Sequence, residues 1–121
     1  MKASRIAHQR QSFSRGQMIF NQGDAGEVMY VVVEGQVELF VDNEVVERVG
    51  PDGVLGELAL IDAAPRSATA IASTDCELMP INQKKFALLV QDRPGFALHI
   101  MRVMAGRLRH MDHRLQRAAL V

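Results

Sequence analysis

The sequence holds a single cysteine, Cys76. One thiol excludes an internal disulfide, and it cannot supply the several thiolates of an iron–sulfur cluster or a thiolate zinc site. No window approaches the 18 consecutive apolar residues that a membrane-crossing helix needs, so no membrane insertion is expected. The opening MKASRIAHQRQ is basic but has no apolar centre of the kind a secretory signal carries, which makes the cytoplasm the expected location. Nucleophile elbows, P-loops and H-E-x-x-H pairs are missing. The four histidines, His8, His99, His110 and His113, all fall outside residues 17–80, where strands are expected. A metal site built on strands fails on that count, and His110 with His113 one helical turn apart gives two ligands, too few for zinc. Neither a cofactor nor catalysis is expected.

What is present fits one globular domain over residues 1–121, with 48% apolar and 23% charged residues. The net charge is zero, but it is unevenly spread. Residues 1–23 carry four basic side chains (Lys2, Arg5, Arg10 and Arg15) and no acid, for a charge of +4. Residues 24–83 carry twelve acids against Arg48 and Arg66, for −10, and residues 84–121 return to +6. Arg66 is thus one of two cations in an acidic body.

From Gln17 to Pro80 the chain reads as short strands broken by turn residues. MIF is followed by NQGDAGE. VMYVVVEGQVELFVDNEVVERVG gives β-rich runs split at Glu34-Gly35 and again at Asp42-Asn43. Val37, Leu39 and Val41 alternate with polar neighbours, roughly the period of a half-buried strand. GPDG marks another turn, and SATAIAS and CELMPI add two strands. Six or more short strands suggest an antiparallel double-sheet roll of the jelly-roll type, over about residues 13–81. Helices follow over about residues 82–118. The first is NQKKFALLVQD, with Asn82 as its N-cap. The second runs from Pro94 to about Arg117, roughly 35 Å. Along it Ala97, Met101, Met104, Leu108, Met111, Leu115 and Ala118 form an a/d seam over three heptads. Leu98, Ile100 and Val103 widen the early part, which is expected to pack on the body. The later part is narrow and flanked by Arg107, Arg109, Arg114 and Arg117, which suits a second copy of the same helix in a homodimer.

GELALIDAAPRSATA, residues 56–70, carries the chemistry. Glu57 and Arg66 stand among small and apolar neighbours, and a buried charge is costly unless paired or hydrogen-bonded. Either the two neutralise each other or a ligand compensates both. Gly56 lets backbone approach a ligand, and the amides opening a short helix at ELALI favour an anion. Arg66, set after Pro65, offers a planar fork matched to phosphate oxygens, and Ser67 adds a hydroxyl. An ionised Glu57 only accepts hydrogen bonds, which suits a sugar hydroxyl. The set asks for a ligand with one phosphate beside a hydroxyl.

FNQGDAGEVMYVVVEGQVEL followed by GELALIDAAPRSATA closely resembles the cyclic nucleotide-binding domain of the catabolite activator, cyclic-nucleotide-dependent kinase and gated-channel families. The resemblance runs from about Phe13 to about Leu115, and Gly23, Gly26 and Gly35 match its first half. It implies a mainly β fold, a β-roll with a phosphate-binding cassette at residues 55–68 and a long C-terminal helix. It further implies that Arg66 pairs with the cyclic phosphate, that Glu57 accepts from the ribose 2′-hydroxyl, and that amides near Gly56, Leu58 and Ser67 or Ala68 complete the cradle. The long helix closes over the base and, in the activator branch, forms the dimer.

Two departures shape the expectation. Where the activator branch carries small hydroxyl residues that reach the base, this chain has Arg107-Leu108-Arg109-His110-Met111-Asp112, leaving Arg107 or Met111 to make that contact. Ser67 separates cAMP from cGMP only weakly, and cAMP is placed ahead. The sequence ends at Val121 without the helix-turn-helix of activator-type regulators, so no sequence-specific DNA reading is expected. The expected function is a non-enzymatic cyclic nucleotide receptor that acts on a downstream effector by repositioning its C-terminal helix. The alternative is a ligand-free roll serving as a dimerisation or interaction module.

Overall fold

A computed structural model describes residues 2–6 and 9–120, with side chains as far as His110. The elements are α1 (Ala3–Ile6), β1 (Gln11–Phe13), β2 (Met18–Phe20), β3 (Met29–Glu34), β4 (Val37–Val41), β5 (Glu44–Val49), β6 (Val54–Leu55), α2 (Glu57–Ile61), β7 (Thr69–Ala72), β8 (Cys76–Ile81), α3 (Gln83–Asp92) and α4 (Pro94–Leu120). The strands form two antiparallel four-stranded sheets, ordered β1-β8-β3-β6 and β2-β7-β4-β5. This is the double-sheet roll that the strand count suggests, with flanking helices and a long terminal one. The expected turn at Asp42-Asn43 joins β4 to β5 with both residues at positive φ (51° and 68°), as a two-residue hairpin of matched twist requires.

The two sheets differ in what covers them, and their sequences differ accordingly. Tyr30 and Val32 of β3 point between the sheets with Phe13, Val37, Leu39, Leu55, Ala70 and Leu78. Met29, Val31 and Val33 face the other way, beneath Ala3, Ile6, Leu60, Phe96 and Ile100 of the helices. A strand buried on both faces needs no polar alternation, which is why β3 reads as a continuous MYVVV. On β4, in the sheet without helices over it, Val37 and Leu39 are buried while Glu38 and Phe40 are only half-buried.

The helices dock through few residues. Asn82 caps α3 as expected, its Oδ1 accepting from the Lys85 amide at 2.8 Å. In α4 the body contact is made by Phe96 (1% exposed) and Ile100 (3%), backed by Val103 and Met104. Leu98, expected to share that contact, is 45% exposed, because the face that reaches the sheet is set by Phe96 and Ile100, four residues apart. Of the expected seam, Met101 and Leu108 are 59% and 61% exposed and Met104 is half-buried. The side chains of Met111, Leu115 and Ala118 lie outside the described residues. Among the described residues, no helix is long and apolar enough to cross a membrane, and no cluster of three metal-binding side chains occurs.

Candidate functional site

Glu57 and Arg66 are the two buried charged residues of the described chain, at 5% and 6% exposure. β6 ends at Leu55, and Gly56 then turns the chain into α2 with φ 77° and ψ 14°, a left-handed conformation that costs a residue with a Cβ about 1–2 kcal/mol. Glu57 follows as the first residue of α2, so a two-residue strand and one glycine bring it in from the sheet. Arg66 lies on the extended segment entering β7. Its amide donates to the Asp24 carbonyl at 2.8 Å, and its own carbonyl accepts from the Gly23 amide at 2.8 Å. The NQGDAG turn therefore fixes the Arg66 backbone on both sides.

The Arg66 guanidinium lies against this frame with little to hold it. NH1 donates to the Gly56 carbonyl at 3.2 Å, and Nε, fully buried, has no hydrogen-bond partner. The Phe20 ring stacks beneath it, 4.2 Å from the guanidinium carbon to the ring centroid, and Phe20 in turn stacks on Tyr30 at 6.2 Å. A Cβ added at Gly26 or at Gly56 would overlap the guanidinium, so the glycines at both positions make the space it occupies. Burial pulls the Arg66 pKa down, and Tyr30 and Asp24 raise it only in part. An arginine stays charged at neutral pH, so the group is a buried cation with no ion pair among the described residues.

Glu57 is differently served. No ion pair joins it to Arg66 among the described residues, so the two do not neutralise each other. Its Oε1 accepts from Arg107 NH1 of α4 at 2.6 Å. The same guanidinium donates through Nε and NH2 to the two oxygens of Glu47 on β5, at 2.9 and 3.0 Å, and through NH2 to the Val54 carbonyl. Burial alone lowers the Arg107 pKa, but the hydrogen bond to Glu47 and the charges of Glu57 and Glu47 more than reverse this and raise it.

The structure thus gathers Gly56, Glu57 and Arg66 from the sequence-derived set. Leu58 is 39% exposed on α2, Ser67 is exposed and Ala68 is 8% exposed at the head of β7. Arg107, considered for a base contact, is turned to the two glutamates, and the Met111 side chain lies outside the described residues. Phe20, Gly26 and Glu47 were not singled out from the sequence as site residues. Phe20 carries a weak signal, an aromatic placed just before the turn that fixes Arg66. Glu47 carries none, because its partner lies 60 residues away. A cleft of about 530 Å³ elsewhere is lined by Ile6, Lys85, Leu88, Leu89, Asp92 and Arg93, none of them a buried charge.

With the geometry in place, comparison with known proteins is direct. Residues 10–93 match the family described as the cyclic nucleotide-binding domain. The cAMP-dependent protein kinase regulatory subunit of Eremothecium gossypii is 44% identical over 73 residues, 60% of this chain and 16% of that protein. The cyclic AMP receptor protein of Thermus thermophilus is 34% identical over 109 residues, 86% of this chain and 50% of that protein. The crystal structure of the Thermus thermophilus catabolite activator protein superimposes with a TM-score of 0.79 at 32% identity, over 92% of this chain and 55% of that one. The chain therefore spans half or less of the length of these two relatives. A β-roll of two four-stranded sheets, a glycine-opened α2 beside a buried arginine and a family match over more than half the residues all agree: the chain belongs to the cyclic nucleotide-binding domain family.

Proposed function

We propose that this domain is a receptor for a cyclic nucleotide, cAMP ahead of cGMP, and that it transmits binding through α4 without catalysing a reaction. The observation that carries the reading is Arg66, a buried guanidinium whose Nε has no partner, braced on Phe20 beside Gly56 and Glu57. A cyclic phosphate supplies the missing acceptors, and a ribose hydroxyl finds Glu57 one residue from Gly56. The amides of Gly56, Leu58 and Ser67 or Ala68 are assigned to the rest of the cradle. Ligand binding shifts the population of α4 positions only if it binds one of them better, and the Arg107–Glu57 contact makes α4 part of the site. The exposed Met101 and Leu108 support a homodimer through α4, which sedimentation of the nucleotide-free and nucleotide-bound chain reads directly. The wider assignment, a cytoplasmic regulator acting on a downstream effector, belongs to the same reading.

The test is calorimetric titration with cAMP and then cGMP, on protein unfolded and refolded to strip bound nucleotide. One nucleotide per chain is the expected result, and the ratio of the two affinities decides the base. No heat and no thermal shift with either nucleotide overturns the receptor and leaves a β-roll that acts through its helices.

A further inference from the structure

Arg107 does not reach the cassette alone. Glu47 lies on β5, in the sheet that does not contain β6, the strand that leads through Gly56 into Glu57. Its two carboxylate oxygens take the same edge of the Arg107 guanidinium, Oε1 from Nε at 2.9 Å and Oε2 from NH2 at 3.0 Å. A side-on bidentate pair fixes the plane of a guanidinium as well as its position. With the plane fixed and the second NH2 proton on the Val54 carbonyl, NH1 has one direction left, and it meets Glu57 Oε1 at 2.6 Å. Four of the five donors of Arg107 are then engaged. Glu57 Oε2 takes no hydrogen bond among the described residues.

We propose that Glu47 is a positioning residue for sugar recognition. It grips Arg107 so that NH1 stays on one oxygen of Glu57, leaving the other oxygen to accept the 2′-hydroxyl of the nucleotide's ribose. This rests on the receptor reading above. The charges reinforce it: Glu47 and Glu57 against Arg107 and Arg66 sum to zero, so the cluster is balanced before an anion arrives. Removing the charge of Glu47 leaves the cluster with a net positive charge, which favours a phosphate while loosening the hold on the sugar. A role confined to holding the fold would lower the affinity of every nucleotide alike, whereas this role separates nucleotides by their 2′-position.

The experiment compares cAMP with 2′-deoxy-cAMP on the full chain, in the wild type and in Glu47→Gln, an isosteric change at a side chain 35% exposed. The wild type is expected to prefer cAMP. Glu47→Gln is expected to reduce that preference about tenfold, by weakening cAMP while 2′-deoxy-cAMP holds or improves. An unchanged preference overturns the proposal, whether both affinities fall together or neither moves. In the ligand-free chain, the Arg107 Nε–H resonance is expected to exchange slowly with solvent in the wild type and faster in Glu47→Gln. Equal exchange in both shows that Glu47 does not grip the guanidinium and overturns the proposal without any ligand. A wild type that binds neither nucleotide is a different result, because it removes the receptor itself.

Discussion

The site has two halves that solve the same problem in opposite ways. Glu57 and Arg66 are equally buried, yet Glu57 has a full ion pair to Arg107 while Arg66 has one long hydrogen bond and an aromatic ring. The reason is where each partner comes from. The Arg66 half is built from residues 20–26 and 56–66, all within the roll, and the roll offers it glycines rather than carboxylates. The Glu57 half borrows its countercharge from α4, 50 residues along the chain. On the proposed reading, phosphate affinity would be a property of the roll alone, whereas sugar recognition would depend on the position of α4. A bound nucleotide would add partners on one side and join an existing network on the other.

Arg66→Ala breaks this comparison most strongly. It removes the guanidinium assigned to the phosphate and leaves Phe20 and two glycines around a gap. Calorimetry is expected to show a loss of nucleotide affinity on the order of a hundredfold or more, since each charge-assisted hydrogen bond contributes about 1.5–3 kcal/mol. Its thermal melt should stay cooperative, because Arg66 contributes little pairing to the fold. Tight binding by the folded variant would sink the cassette assignment. Glu57→Gln sharpens the other half. Arg107 keeps Glu47, so stability is expected to fall by only about 1 kcal/mol, and cAMP affinity by about tenfold. A loss as large as that of Arg66→Ala would mean that the two halves are not separate. Asn82→Ala is the smallest case. It removes the α3 cap for about 1 kcal/mol of stability by denaturant unfolding, with nucleotide affinity unchanged. A change in affinity there would show that docking of α3 feeds into the cassette.

Much of this is legible in the sequence. The hairpin turns at Glu34-Gly35 and Asp42-Asn43, the Asn82 cap and the start of α4 at Pro94 all follow local rules of backbone and capping, which need no knowledge of distant residues. The need of Glu57 and Arg66 for compensation was legible for the same reason, since burial can be read from their neighbours. Three elements were not anticipated. β1 is three residues long and β6 two, too short to show any period, and α1 is a single turn. The strands exist because β8 and β3 offer them edges. Arg107 was noticed as a departure, but its true neighbours, Glu47 and Glu57, are contacts across 60 and 50 residues that no local pattern encodes. Phe96, the main anchor of α4, falls outside the a/d seam, next to Ala97, so the heptad pattern does not point to it.

That helix is anchored to the body near its beginning, through Phe96 and Ile100. From Phe96 to Arg107 is about 17 Å along the axis, and from Phe96 to Leu120 about 36 Å, at about 1.5 Å per residue. If α4 pivots where Phe96 and Ile100 are clamped, a displacement of about 2 Å at Arg107 becomes about 4 Å at Leu120. On the proposed receptor reading, the cassette would pull on a short arm and a partner at the far end would feel a long one. On the proposed receptor reading, a small shift imposed on Arg107 at the cassette would reach the far end of the helix about twofold larger.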